Sequence, residues 1–317
     1  MYNSLISVIV TTRNEEKNID NCLKSVIYQT YKNIEIIVVD NDSTDKTKEI
    51  AEKYTGLVYN KGYERSAQRN YGVNVAHGEW ILYIDADMIL SPCVVDSCIK
   101  EVEKDKSIVG LNIPEIIIGK SFWCKVRRFE RNFYYGTLID GFRFIKKSSF
   151  IEAKGFDETM SGPEDWDFDR KLSNIGKVRV LENPELYYNH SSDVMLEDNL
   201  KKWTDEFKLF LYERGIKHSS KCKNVLFHNE SDFNLWRYLS KKNYYAKGFD
   251  VYINKWGEND PIIKKQFGIS YRYFRVFVEN GKWRRLIIHP ILTFGMYLLR
   301  CMVGIIYLKN KINKKNL

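Results

Sequence analysis

The segment that follows the first strand-like run, Thr11 to Glu16, contains no glycine. A dinucleotide-binding oxidoreductase or a sugar nucleotidyltransferase needs a glycine-rich loop at that place, where backbone N–H groups close on a phosphate, so both classes are disfavoured. The six cysteines (Cys22, Cys93, Cys98, Cys124, Cys222, Cys301) never form a CxxC pair, and no signal-peptide pattern precedes the apolar run that begins at Leu5. A reducing, cytoplasmic setting is expected. Asn41, Asn189 and Asn229 each begin an NxS match, a pattern short enough to arise by chance, and are read as unused. Net charge is also lacking over most of the chain. Residues 1–270 carry 40 basic and 40 acidic groups, and the whole excess of +9 sits in residues 271–317. There, ten basic residues (Arg272, Arg275, Lys282, Arg284, Arg285, Arg300, Lys309, Lys311, Lys314, Lys315) face one acid, Glu279. Mixed with Tyr, Phe, Trp, Leu and Ile, this charge suits an anionic membrane surface better than nucleic acid, for which no motif occurs.

What is present is enough apolar material for a large core. With 317 residues, 44% hydrophobic and 14% aromatic, the chain supports one large domain plus an appendage and is not a disordered protein. The first half alternates between two periods. Leu5 to Val10 is a β-type run, Asn14 is placed to cap a helix, and Ile19, Cys22, Leu23, Val26 and Ile27 recur at helical spacing. Ile34 to Val39 repeats the strand, with Asp42 and Ser43 as capping types before a helix containing Ile50 and Ala51. A short strand at 56–60, a helix over 64–77 and a strand from Trp80 to Ile84 follow. Strand and helix alternating at these lengths predict a mainly parallel α/β sheet covered by helices, whose ligands collect at the carboxyl ends of the strands.

Acids fall at those ends. Asp40 closes the second strand, and Asp85 and Asp87 close the fourth, where the period of two would bring both carboxylates to one side. Such a pair costs energy unless a cation or several donors compensate it, although a solvated turn with helix-capping acids accounts for it equally well. Further on, Gly162-Pro163 break the chain before a helix with Glu164 and Asp165 in its first turn and Phe168, Leu172 and Ile175 on its apolar face. Acids at a helix start often only complement its dipole. His190 follows a later strand and, taken alone, reads as a hydrogen-bonded structural histidine.

The order of these motifs resembles the family 2 glycosyltransferases, whose catalytic domain has the GT-A (Rossmann-like) fold. The resemblance is carried by residues 7–54, 64–90, 150–176 and 187–192, including Asp85-Ala86-Asp87 and Glu164-Asp165, and covers about the first 200 residues. It implies that Asp87 is the principal ligand of Mg²⁺ or Mn²⁺, that Asp85 lies nearer the ribose and the metal shell, and that His190 helps to hold metal or diphosphate. It also implies that Thr11, Arg13, Glu15, Asp40 and Arg69 line the pocket of a nucleoside-diphosphate sugar. Asp165 would be the general base of an inverting single displacement, and Trp166 would offer a face to a sugar ring or pack in the core. Arg13 stands where relatives often have an aromatic residue, and Asn41-Asp42-Ser43 replaces the commoner Asp-Gly-Ser. The Gln-x-x-Arg-Trp motif and the multiple spans of processive synthases are missing, which favours addition of a single sugar. A non-catalytic carbohydrate-binding relative would be expected to have lost Asp87 or Asp165, and both are present.

From about Phe227 the resemblance fades. The expected organisation is a catalytic domain over 1–226 and a helical, basic, membrane-associating appendage over 227–317. Residues 286–308 are long enough to cross a bilayer core, yet contain His289, Pro290 and Arg300. In a continuous helix Arg285, His289, Thr293, Arg300 and Gly304 share one side, which describes a helix lying in the interface better than a span. The expected partners are a nucleoside-diphosphate sugar, a lipid-linked (polyprenyl phosphate or diphosphate) glycan acceptor and the cytoplasmic face of an anionic membrane.

Overall fold

The computed structural model describes residues 3–181, 198–214, 224–246 and 248–315. His190 lies outside the described residues. The β-branched runs form β1 (Ile6–Thr12), β2 (Ile34–Asp40), β3 (Val58–Asn60) and β4 (Trp80–Asp85), which pair in parallel and are separated by α1 (Ile19–Ile27), α2 (Thr47–Ala51) and α3 (Arg65–Val75). All seven residues of β1 are buried, because helices cover both faces of the sheet. The period of two sorts its side chains into two layers. Ile6, Val8, Val10, Leu82 and Ile84 pack with α1, whereas Ile9, Ile37, Val39, Ile81 and Tyr83 pack on the α3 side.

Two expected caps take other work. Asn14 adopts φ +54° and its side-chain oxygen accepts from Thr44 N at 2.8 Å, tying two rim loops together, so α1 begins only at Ile19. Asp42 adopts φ +49° and accepts from Asn60. Short polar side chains at loop positions satisfy whichever polar group lies nearest, and here that is the neighbouring loop for Asn14 and the end of β3 for Asp42 rather than a helix end.

After β4 the chain turns at Ala86-Asp87 and leaves the main sheet as β5 (Met88–Leu90), followed by α4 (Val94–Lys104), β6 (Ile108–Asn112), β7 (Glu115–Ile118) and α5 (Phe122–Arg131). β8 (Phe144–Lys146), α6 (Lys147–Glu152), α7 (Glu164–Ser173), β9 (Lys177–Val180), α8 (Asp198–Glu213) and β10 (Leu226–Asn229) complete this part. The main sheet has the order β3-β2-β1-β4-β8-β6-β9, with β8 antiparallel to both neighbours and the other strands parallel to one another. A second sheet, β5-β10-β7, stands beside it. The boundary expected between residues 226 and 227 falls within β10, whose four residues pair with β7.

The C-terminal part is helical, as expected: α9 (Leu235–Ala246), α10 (Gly248–Trp256), α11 (Pro261–Phe267), a π-helical turn at Tyr271–Arg275, α12 (Val276–Val278), α13 (Arg284–Ile288) and α14 (Pro290–Lys315). Residues 286–308 are not one helix. His289 leaves helical geometry and Pro290, which has no N–H to donate, starts α14. Thr293, Arg300 and Gly304 of the polar line face the protein instead of water: Thr293 Oγ1 donates to Leu286 O, Arg300 is buried, and a Cβ on Gly304 would lie 2.5 Å from the Tyr273 hydroxyl. α14 packs on α5 and α9 through Met296 and Leu299, against Val126, Phe129, Phe133 and Phe277. Its outward side carries Ile291, Phe294, Leu298, Ile305 and Leu308, all exposed and spaced by three and four or their sum. By length and composition, Pro290–Lys309 could cross a membrane, although its inner side is engaged by the domain.

Candidate active site

Asp85 and Asp87 do not share one side of a strand. β4 ends at Asp85, and the turn that hands the chain to the second sheet sends Asp87 elsewhere. Asp85 Oδ1 accepts from Thr11 Oγ1 at 2.9 Å and from Arg69 Nη2 at 3.3 Å, while Oδ2 lies 3.6 Å from Arg65 Nη1. Burial alone would raise its pKa, but Arg69 and Arg65 hold it well below the usual carboxylate range. Asp87 Oδ2 instead meets His228 Nε2 at 3.1 Å, and its Oδ1 is buried without a hydrogen-bond partner.

His228 was not apparent from the sequence. It lies on β10, which the second sheet sets antiparallel to β5, opposite Met88. Its Nδ1 is 2.9 Å from Glu115 Oε1, and Glu115 Oε2 is held in turn by Arg131 at 3.2 Å and Arg143 at 3.3 Å. Burial would lower the His228 pKa, but Asp87 and Glu115 raise it well above the ordinary histidine value. The signal was an apolar strand run, Val225 to Phe227, ending in a polar histidine, the same pattern that marks Asp85.

Asp165 stands in the first turn of α7, about one-third exposed, with Oδ1 accepting from Arg69 Nη1 at 2.8 Å. Arg69 is 1% exposed and lies over the rings of Tyr83 and Phe156, so its guanidinium joins Asp85 to Asp165 rather than reaching into an open pocket. Arg65, one turn earlier on α3, is the more accessible cation. It contacts Glu164 Oε1 at 3.1 Å and donates to the Tyr245 hydroxyl at 2.9 Å. Its four-residue spacing from Arg69 was the sequence signal that could have found it. Glu164 is buried and accepts from Gly162 N, and its pKa is raised by burial and then by Asp165. Trp166 is taken up in packing, stacked on Phe249 with Tyr252 and Phe267 beside it.

The remaining expected pocket residues surround the same rim. Thr11 is buried and spent on Asp85, and Arg13 is exposed. Glu15 accepts from Asn18 Nδ2 at 2.7 Å, with its pKa raised by burial and by Asp87 and Asp85. Asp40 is buried with both carboxylate oxygens accepting from Ser43, which makes it the anchor of the turn after β2.

A sequence model described as glycosyl transferase family 2 matches residues 7–155. An uncharacterized glycosyltransferase of Haemophilus influenzae is 35% identical over 225 residues, which cover 60% of this chain and 68% of that protein. The chain belongs to the family 2 glycosyltransferases. The glycosyltransferase GlyG of Streptococcus pneumoniae serotype 4 is 35% identical over 113 residues, a third of this chain, and the chain spans 38% of its length. Among solved structures, a mannosyltransferase from Pyrobaculum calidifontis in complex with GDP-Man and Mn²⁺ superposes with a TM-score of 0.56 at 16% identity, over 98% of this chain and 88% of that one. That likeness is one of fold, and it agrees with the expected GT-A architecture.

A divalent ion fits the residues present. Among the described residues, no three carboxylate, histidine or cysteine side chains converge to hold an ion by themselves. Asp87 and His228 converge as a pair, with an unpartnered carboxylate oxygen on one and a carboxylate-oriented imidazole on the other. Asp87 leaves positions for diphosphate oxygens and water, as Mg²⁺ takes at a phosphate site, and His228, whose two ring nitrogens both face carboxylates, would join it only by giving up its Nε2 proton.

Proposed function

We propose that the chain is an inverting glycosyltransferase that moves one sugar from a nucleoside-diphosphate sugar to a hydroxyl of a membrane-linked, polyprenyl-phosphate or -diphosphate glycan on the cytoplasmic face. The observation that carries the reading is the double grip of Arg69, which fixes Asp165 relative to the Asp85 end of β4 through 2.8 and 3.3 Å contacts. A base and a donor site must be held at a set distance if an acceptor oxygen is to approach the anomeric carbon opposite its leaving group.

Asp165 takes the hydroxyl proton on its free oxygen as the new oxygen–carbon bond forms and the bond to the diphosphate breaks, the electron pair leaving with the diphosphate. Backside attack inverts the anomeric centre. A carboxylate suffices because the proton becomes acidic only as that bond forms. Thr11, Arg13, Glu15, Asp40 and Asp85 are assigned to the nucleotide side, with Arg69 positioning both carboxylates. Mg²⁺ or Mn²⁺, held by Asp87 and His228, would neutralise charge gathering on the departing diphosphate. His190 keeps its family-derived assignment as a further ligand.

Support for the membrane comes from the outward stripe of α14 together with Arg284 on α13 before it and Lys309 towards its far end, both exposed. The inner contacts of that helix favour lying in the interface over spanning it. The catalytic part over residues 1–226 and the appendage over 227–317 would then meet the bilayer as one unit, sharing β10.

The test is nucleoside diphosphate release from a panel of nucleotide sugars with Mn²⁺ or Mg²⁺. One donor should be turned over, EDTA should stop it, and Asp87→Ala should abolish transfer and metal-dependent nucleotide binding while the protein stays folded. Undiminished activity in EDTA overturns the metal assignment.

A further inference from the structure

Four cations crowd the junction of α5, α9, the π-helical turn and α14, and two carboxylates answer them. Arg127 takes Glu230, with Nη2 at 3.0 Å and Nε at 3.3 Å from its two oxygens, and also reaches Glu130 Oε2 at 3.3 Å. Glu130 Oε1 is shared by Arg300 Nε at 2.9 Å and the Tyr134 hydroxyl at 2.6 Å. Both carboxylates are thereby spent. Lys242 and Arg272, each half-buried, have no carboxylate partner among the described residues. Lys242 Nζ lies 5.2 and 5.7 Å from the ring centres of Tyr238 and Tyr245, and the Arg272 guanidinium lies 5.8 Å over Trp166.

Unpaired charge in a half-buried, aromatic-walled place is unfavourable for the free protein. Burial and then Arg127 push the Lys242 ammonium down to about 7 against a weaker pull from Glu130, and burial and then Arg300 lower Arg272 itself. Tyr245, which faces Lys242, also receives the hydrogen bond from Arg65 that borders Asp85 and Glu164, and Trp166 is the neighbour of Asp165 in sequence. Tyr245 and Trp166 thus connect the two cations to the Arg65 and Asp165 edge of the site.

We propose that Lys242 and Arg272 recognise a phosphate or diphosphate ester carried by the acceptor. This rests on the transferase reading and names the chemistry its acceptor must bring. A dianionic phosphoryl group matches two basic groups that lack a carboxylate contact, Arg272 supplying a planar donor fork and Lys242 an ammonium that the bound anion holds protonated. The aromatic walls exclude water from the contact and strengthen it.

The experiment uses the full chain in EDTA, so that metal-dependent diphosphate binding is silent, and follows thermal stability with inorganic phosphate, pyrophosphate, a short prenyl phosphate and the matching prenol. The phosphates should raise Tm by about 2 °C or more near saturation and the prenol should not. Tighter binding of the prenyl phosphate than of inorganic phosphate assigns a lipid ester, and equal binding assigns a soluble phosphoryl acceptor. Lys242→Gln with Arg272→Gln removes repulsion, so the double variant should fold at least as stably as the parent. It should lose the phosphate response, keep the response to nucleotide with Mn²⁺, and raise the acceptor KM ~10-fold or more with kcat and donor KM unchanged. An undiminished phosphate response in the variant, or none in the parent, overturns the proposal. Retained turnover in Asp165→Asn would overturn the transferase mechanism alone and leave the phosphate response untouched.

Discussion

Arg69 shows how a single residue sets the geometry of the site. Its guanidinium reaches Asp165 and Asp85 at once because two nitrogens of a rigid fork point to two carboxylates, while Tyr83 and Phe156 fix the plane of the fork. A lysine keeps the charge but offers one point, so Arg69→Lys can satisfy only one partner. Turnover should drop by ~10²-fold while the donor KM changes little, as expected when a reacting group is misplaced by about an ångström. Steady-state kinetics with the cognate donor checks this, and wild-type turnover in the variant would show that the guanidinium merely fills space. The carboxylates that flank it were legible in the sequence because each closes a local pattern, Asp85 a strand and Asp165 a helix start. His228 was not, because 141 positions separate it from Asp87 and only the pairing of β10 with β5 brings them together. Likewise Asn14 and Asp42 carry cap chemistry, but a neighbouring loop and the end of β3 claim it.

At the level of elements, the first four strands and three helices were readable because burial on both sheet faces imposes continuous apolar runs and plain helical periods. β5 and β10 were less so. Three- and four-residue strands carry too few alternations to distinguish them from turns. α14 was legible in composition and misread in orientation: Arg300 pointed to a solvent-facing polar side, whereas it is buried in an ion pair with Glu130 and also donates to Arg272 O and the Tyr134 hydroxyl. Gly295 permits the close approach, since a Cβ there would sit 2.7 Å from Val126 Cγ2. Arg300→Ala leaves Glu130 to Arg127 but strips buried hydrogen bonds from Glu130, Arg272 O and the Tyr134 hydroxyl, so it should destabilise the protein by about 2 kcal/mol. Denaturant unfolding measures this. A change below about 0.5 kcal/mol would mean that the helix is held by its apolar contacts alone.

For the whole molecule, α14 is fastened to the domain on its inner side and turns an exposed apolar stripe outward. Truncating the chain before α13 would strip α14 from Phe133 and Phe277, so the membrane reading is better tested by changing exposed side chains. Replacing Ile291, Phe294, Leu298 and Ile305 together by glutamine leaves the packed side intact and should abolish flotation with anionic liposomes, whereas the parent should float. Equal behaviour of the two would move the acceptor off the membrane and favour a soluble saccharide or a protein. The central claim, that Asp165 accepts the proton in sugar transfer, is tested most directly by measuring kcat and donor Kd on the same preparation of Asp165→Asn. Asparagine keeps the shape and can still accept from Arg69 but cannot take the proton, so kcat should fall by ~10²-fold or more with donor Kd unchanged within about twofold. Undiminished turnover, or donor affinity lost in step with turnover, would contradict it.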